Sequence, residues 1–299
     1  MVRRKYQAIH PDIYKDKALY KQMTEFSLEG KEPTKVNFID DSGTEHILNS
    51  LGYRSSEFAS GTKILAAGCS NTVGLGVDQD KIWSSVLSNL TGMSCANLGI
   101  VGGSFGSIAE TVMAHIREYG APEIVCVFLP GLYRIQLPIN QDVNTYLINK
   151  QEKNFYIKNV NLAFFREGTK YEKTYPDYSL KPYNVNDVIS LEIGVYYSMM
   201  SLNFLVDYCK AAGIKLIMSS WEPGTTEFLL EKKEDKSSRL DLSSFYPLDK
   251  HEVFFNNPET IECHTEIDND VRNRGRDTSG HMGEHQHRHV AELFASKIN

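Results

Sequence analysis

No apolar run in the 299 residues approaches the 18 or so that a membrane-spanning helix requires. Basic residues are in deficit: 32 Lys+Arg against 38 Asp+Glu leave a formal charge of −6. That balance speaks against a nucleic-acid-binding protein, which needs a basic face to neutralise phosphates. Cysteine is sparse and unpaired in pattern. Five thiols (Cys69, Cys95, Cys126, Cys209 and Cys263) are scattered with no C-x-x-C, so neither a disulfide framework nor a zinc site is indicated. There is no internal repeat and no low-complexity segment. Neither G-x-G-x-x-G nor G-x-x-x-x-G-K-[ST] occurs, which removes the usual nucleotide-binding loops. The Met1–Gln7 start is basic but has no apolar stretch behind it, so no secretory signal is expected and a cytoplasmic-type soluble chain is.

What is present is an ordinary globular composition, with 41% hydrophobic and 23% charged residues. After a polar, aromatic opening with helical spacing near Tyr14–Phe26, two β-type runs, 36–40 and 45–48, flank an Asp/Ser/Gly turn and predict a hairpin. From Lys63 the rhythm alternates. Ile64–Ala67 ends at Gly68 as a buried parallel strand does. Ile82, Trp83, Val86, Leu87 and Leu90 follow at helical spacing. Ser94–Asn97 reads as a second strand, Phe105–Ile116 as an amphipathic helix closed by Gly120 and Pro122, and Ile124–Leu129 as a third strand. Residues 131–187, rich in Tyr, Asn, Lys and Pro, read as an insertion of loops and short strands. A long helix over about 188–212, a strand over 215–219, an irregular stretch over 224–275 and a last helix over about 284–297 complete the chain.

Strands alternating with helices imply βα units on a parallel sheet, a three-layer α/β/α fold. Sites in such folds sit at the carboxyl ends of the strands. Three groups of residues fall there. Ser70, in Gly68-Cys69-Ser70-Asn71-Thr72-Val73-Gly74, stands where a strand turns into a helix and amides surround the hydroxyl; such a serine is either an exposed nucleophile or a simple cap. Gly99-Ile100-Val101-Gly102-Gly103 offers backbone N–H donors and close approach, and equally suits a tight turn. Asp277 and His281 precede the last helix, where an imidazole oriented by a carboxylate acts as a general base. His281-Met282-Gly283-Glu284-His285 also spells an inverted zincin string, but only 14 residues follow His285 to supply the further acidic ligand. No metal and no cofactor are expected. Cys69 is the alternative nucleophile. Neighbours at a strand end face opposite sides, so a cleft-facing Ser70 implies a buried Cys69.

These blocks resemble the SGNH/GDSL hydrolase superfamily. Lys63–Val77 is similar to its first block with Ser70 at the nucleophile position, though Cys69 replaces the usual Asp. Asn97–Gly102 is similar to its second block, and Asp277 with His281 to its last. Asn49–Arg54 is similar to a lead-in found in one branch. The likeness covers about 49–130 and 188–299. It implies a flavodoxin-like SGNH hydrolase domain over 59–299, interrupted at about 131–187 and preceded by an N-terminal extension over 1–58. It further implies a serine esterase using Ser70, His281 and Asp277, with the amides of Ser70 and Gly102 receiving the oxyanion. Asn71, Gly103, Tyr133, Arg134 and Arg54 are expected around the pocket. The implied substrate is a small-molecule or glycan ester. Two departures stand out: the third block, normally Gly-x-Asn-Asp, reads Leu129-Pro130-Gly131-Leu132-Tyr133-Arg134, and the last is Asp-x-x-x-His rather than Asp-x-x-His. An O-acyltransferase and a non-catalytic binding or structural module remain alternatives.

Overall fold

The computed structural model describes residues 37–39, 44–139, 156–161, 191–235, 238, 240–248 and 281–298. The helical spacing near Tyr14–Phe26 and Asp277 lie outside them. The first strands, β1 (Asn37–Ile39) and β2 (Glu45–Ile47), pair antiparallel as the expected hairpin.

Four strands form the central sheet: β3 (Ile64–Gly68), β4 (Cys95–Gly99), β5 (Ile124–Leu129) and β8 (Lys215–Ser220). All are parallel, in the spatial order β4-β3-β5-β8. β3 and β5 are buried along their whole length. That burial explains their continuous apolar sequences, since both faces of the sheet are covered. A second hairpin, β6 (Arg134–Ile139) with β7 (Tyr156–Asn161), rises from the end of β5 within the expected insertion.

Six helices are described: α1 (Ser70–Val73), α2 (Trp83–Thr91), α3 (Phe105–Tyr119), α4 (Leu191–Ala211), α5 (Pro223–Glu234) and α6 (Glu284–Ile298). Alternation along the strands sorts the core into two layers. Leu65, Ala67, Val125 and Val127 pack with Ile108 and Val112 of α3 and Leu202 and Leu205 of α4. Ile64, Ala66, Cys126 and Phe128 pack with Trp83 and Leu87 of α2 and Val290 and Phe294 of α6. The result is the expected three-layer α/β/α arrangement. α5 falls in the stretch read as irregular. It starts on Pro223 at its first turn, with the Glu222 carboxylate accepting from the Gly224 and Thr225 amides. Only Thr225 and Leu229 of it are buried, so its sequence carries little helical periodicity.

The strand order places the topological switch at β3 and β5. From β3 the chain goes first to β4 on one side, then crosses to β5 on the other. Loops leaving the two strands therefore diverge and open a crevice at their carboxyl ends.

Candidate active site

β3 ends at Gly68, where a side chain has no room. A Cβ there would lie 2.0 Å from Thr72 Oγ1 and 2.7 Å from the Phe128 carbonyl oxygen. Glycine thus lets α1 fold back tightly over β5. Cys69, in extended conformation, is the N-cap, and its carbonyl accepts from the amides of Thr72 and Val73 at 2.9 and 3.1 Å. Ser70 opens α1 and retains 6% exposure. Cys69 is fully buried, and its Sγ accepts the indole N–H of Trp221 at 3.2 Å. Both neighbours are thus buried, with Ser70 keeping the small exposed fraction.

The turn after β4 lies directly against this element. The Ile100 amide donates to the Gly68 carbonyl at 3.0 Å, and the Gly103 amide to the Ile100 carbonyl at 2.9 Å. Gly102 has φ of +69°, a left-handed conformation that an L side chain adopts only at a cost. A Cβ on Gly103 would stand 3.3 Å from Cys69 Cα, so the glycine turn and the serine turn touch backbone to backbone. Asn97 locks the pair: its amide donates to the Thr72 carbonyl at 2.7 Å, and its Oδ1 accepts from the Gly99 amide at 2.8 Å. The capping box of Ser104 and Ser107 then fixes the start of α3.

From the C-terminal side, His281 and Met282 arrive at the same edge. The Met282 amide lies 3.5 Å from Asn71 Oδ1, one residue beyond Ser70, and the Met282 side chain is buried in the α2–α6 layer. His281 is half-buried. The position of α6 is set by His287, whose Nδ1 accepts the Trp83 amide at 3.1 Å, and by a Lys81–Glu284 ion pair at 3.0 Å. Burial, with the nearby charges of Arg54 and His281, lowers the His287 pKa to about 3, so this ring is neutral. Glu284 and His287 of the zincin-like region are thus engaged in seating the helix. Among the described residues no group of three or more His, Cys, Asp or Glu is placed to share a metal ion.

Beyond β5 the chain turns through Gly131, Leu132 and Tyr133 into Arg134. The Leu132 amide donates to Thr225 Oγ1 at 3.2 Å, and Ser198 donates to the Leu132 carbonyl at 2.6 Å, so this turn is pinned from α4 and α5. Tyr133 points outward and is exposed. Arg134 is half-buried. Its guanidinium carbon stands 5.5 Å from the ring centroid of Trp221, and its Nη1 lies 3.5 Å from the Gly103 carbonyl oxygen. Trp221 is marked in the sequence only by its place directly after β8.

Arg54 corrects an expectation. Instead of lining the rim it is 1% exposed. It donates to the carbonyls of Gly74 and Val77 and to Gln79 Oε1, so it braces the loop that follows α1. Charge alone suggested a rim residue; the carbonyls that turn inward after Gly74 are visible only in three dimensions.

No family model and no curated protein matches the sequence. Among solved structures, the chain is similar to a protein assigned to the lipolytic G-D-S-L family from Desulfitobacterium hafniense DCB-2, at 13% identity, with 79% of this chain and 98% of that one covered and a TM-score of 0.39. It is similar to the psychrotrophic esterase EstA from Pseudoalteromonas sp., at 13% identity, with 79% and 96% covered and a TM-score of 0.41. It is similar also to an acetyl xylan esterase from the rumen bacterium Butyrivibrio proteoclasticus, at 12% identity, with 81% and 64% covered and a TM-score of 0.37. No helix among the described residues is long and apolar enough to cross a membrane.

Proposed function

We propose that the chain is a serine hydrolase of SGNH type that cleaves a carboxylic ester or an O-acetyl group of a small molecule or a glycan. The observation that carries this reading is the meeting of three turns distant in sequence: Gly103 packs on Cys69, and Met282 reaches the side chain of Asn71, on either side of Ser70.

In this mechanism His281 takes the proton of the Ser70 hydroxyl while Oγ attacks the ester carbonyl. The oxyanion of the tetrahedral intermediate receives hydrogen bonds from the amides of Ser70 and Gly102. Collapse breaks the C–O bond to the alcohol, and His281 returns the proton to the departing oxygen. A water molecule, deprotonated by His281, then cleaves the acyl-serine and releases the acid. Asp277, in this reading, orients the imidazole and stabilises its protonated form. Two backbone donors in place of three cost about two to three orders of magnitude in rate, so a slow enzyme is expected. An O-acyltransferase would use the same acyl-serine with an alcohol in place of water.

A second reading, a glycan- or protein-binding module without turnover, is favoured by one feature: the third block has no Asn, and Arg134 occupies that edge. A fluorophosphonate probe separates the two. The hydrolase reading expects labelling of the wild type and none of Ser70→Ala, together with turnover of short p-nitrophenyl esters. Absence of both labelling and turnover in the folded wild type would refute it in favour of the binding module.

A further inference from the structure

Arg134 and Trp221 form a feature that ester hydrolysis as such does not require. The guanidinium lies over the indole at 5.5 Å from its centroid. The indole is fixed from the other side by its N–H bond to Cys69 Sγ at 3.2 Å. The turn that carries Arg134 is held by Thr225 and Ser198. Both members of the pair are thereby anchored to the sheet edge rather than to a free surface. The pair reaches both turns of the proposed oxyanion site: Nη1 of Arg134 is 3.5 Å from the carbonyl of Gly103, the neighbour of Gly102, and the indole of Trp221 bonds Cys69, the neighbour of Ser70.

Among the described residues no carboxylate forms an ion pair with Arg134. The one described hydrogen bond of its guanidinium is the long contact to the Gly103 carbonyl. A guanidinium carries five N–H donors in a planar fork that matches a carboxylate. Stacking on the indole fixes the plane of that fork, so little order is lost when an anion binds.

We propose that Arg134, stacked on Trp221, is an anion-recognition site that makes the crevice selective for esters bearing a carboxylate close to the scissile bond, such as acyl esters of acidic sugars or hydroxy acids. This inference rests on the hydrolase reading for its substrate, although the anion site itself does not need turnover. The carboxylate would receive two N–H groups of the guanidinium while the ester carbonyl meets the amides of Ser70 and Gly102. The indole face supports the part of the substrate between them. Arg134 acts here as a specificity residue, and no bond to it forms or breaks.

The test compares acetate release from 3-acetoxybenzoate with that from the ester 3-acetoxybenzamide, which is close in size and carries no charge, by wild type, Arg134→Gln and Arg134→Lys. The quantity read is the ratio of kcat/KM for the charged over the neutral ester within each variant, so a general loss of folded protein cancels. The wild type is expected to favour the charged ester by about tenfold, the scale of one charge-assisted pair at a half-buried site. The ratio should fall to about one in Arg134→Gln and recover in part in Arg134→Lys. A wild-type ratio near one, with both esters turned over, overturns the anion site and leaves the hydrolase reading intact. If neither ester is turned over, titration with benzoate decides. Trp221 and the buried Trp83 are the chain's two tryptophans. A saturable change in indole fluorescence that Arg134→Gln abolishes supports the anion site without the hydrolase. No such change overturns it.

Discussion

Replacing Arg54 with Met tests whether a buried cation, and no pocket residue, braces the loop behind the serine. The side chain is 1% exposed, and Met keeps its apolar stem while leaving the volume of the guanidinium unfilled. Among the described residues three close hydrogen bonds are lost: to the Gly74 carbonyl, to the Val77 carbonyl at 2.7 Å, and to Gln79 Oε1 at 2.7 Å. Gln79 is only half-buried and can turn to water, which leaves the two carbonyls. Each buried acceptor left without a donor costs about 1–3 kcal/mol, and removing the buried cation returns part of that. The net expectation is a loss of about 3–5 kcal/mol, the usual scale for breaking a buried charged network. For a chain of this size that corresponds to a fall in Tm of roughly 5–8 °C. Arg54→Lys should recover less than half, because three donors on one nitrogen do not reach acceptors spread across the loop. The assay is urea unfolding with the m-value held as a check on two-state behaviour. A loss below about 1 kcal/mol for Arg54→Met would refute the reasoning.

Further outcomes follow from other residues. His115 is buried, which lowers its pKa from 6.5 to about 4. The unfolded chain therefore binds the proton first, and stability is complete above about pH 6.5 and declines as the pH falls toward 4. His115→Phe should remove about 1–3 kcal/mol of that decline, read from urea midpoints at pH 7.5 and 5; an unchanged pH dependence would count against it. Gly68→Ala should cost about 3 kcal/mol, since its Cβ would lie 2.0 Å from Thr72 Oγ1, and a near-neutral thermal shift would contradict that. Asn97→Ala should cost about 2–3 kcal/mol, because the Thr72 carbonyl and the Gly99 amide both lose a buried partner. In the hydrolase reading the same substitution also lowers kcat more than KM changes; equal kcat in folded Asn97→Ala would separate that turn from the chemistry.

The sheet was legible because its strands are buried on both faces: Ile64–Ala67 and Ile124–Leu129 leave no alternation to confuse, and Gly68 and Pro130 mark their ends. The helices α2, α3 and α6 were legible because one face of each meets the sheet or its partner helix. The same logic hid α5, which buries only two residues and is set by Pro223 and the Glu222 cap rather than by an apolar stripe. At the candidate site, the serine and glycine turns stood out by their place after strands. The pairing of Arg134 with Trp221 did not, because the two are separated by 86 intervening residues and meet only when β5 and β8 lie side by side. His287 was one of several histidines in a row, and its bond to the Trp83 amide depends on how α6 docks.

The docking of α6 also bears on the order in which the molecule can be completed. Ile64, Ala66, Cys126 and Phe128 present an apolar sheet face that Val290, Ala291 and Phe294 help to cover. A ribosome that has emitted the sheet but not yet residue 294 therefore leaves a greasy surface open to chaperones or to a neighbouring copy. At roughly 5–20 residues per second, the wait between β8 and α6 lasts several seconds. Strains slowed in translation over that interval should accumulate more of this protein in inclusion bodies than strains slowed anywhere before β3.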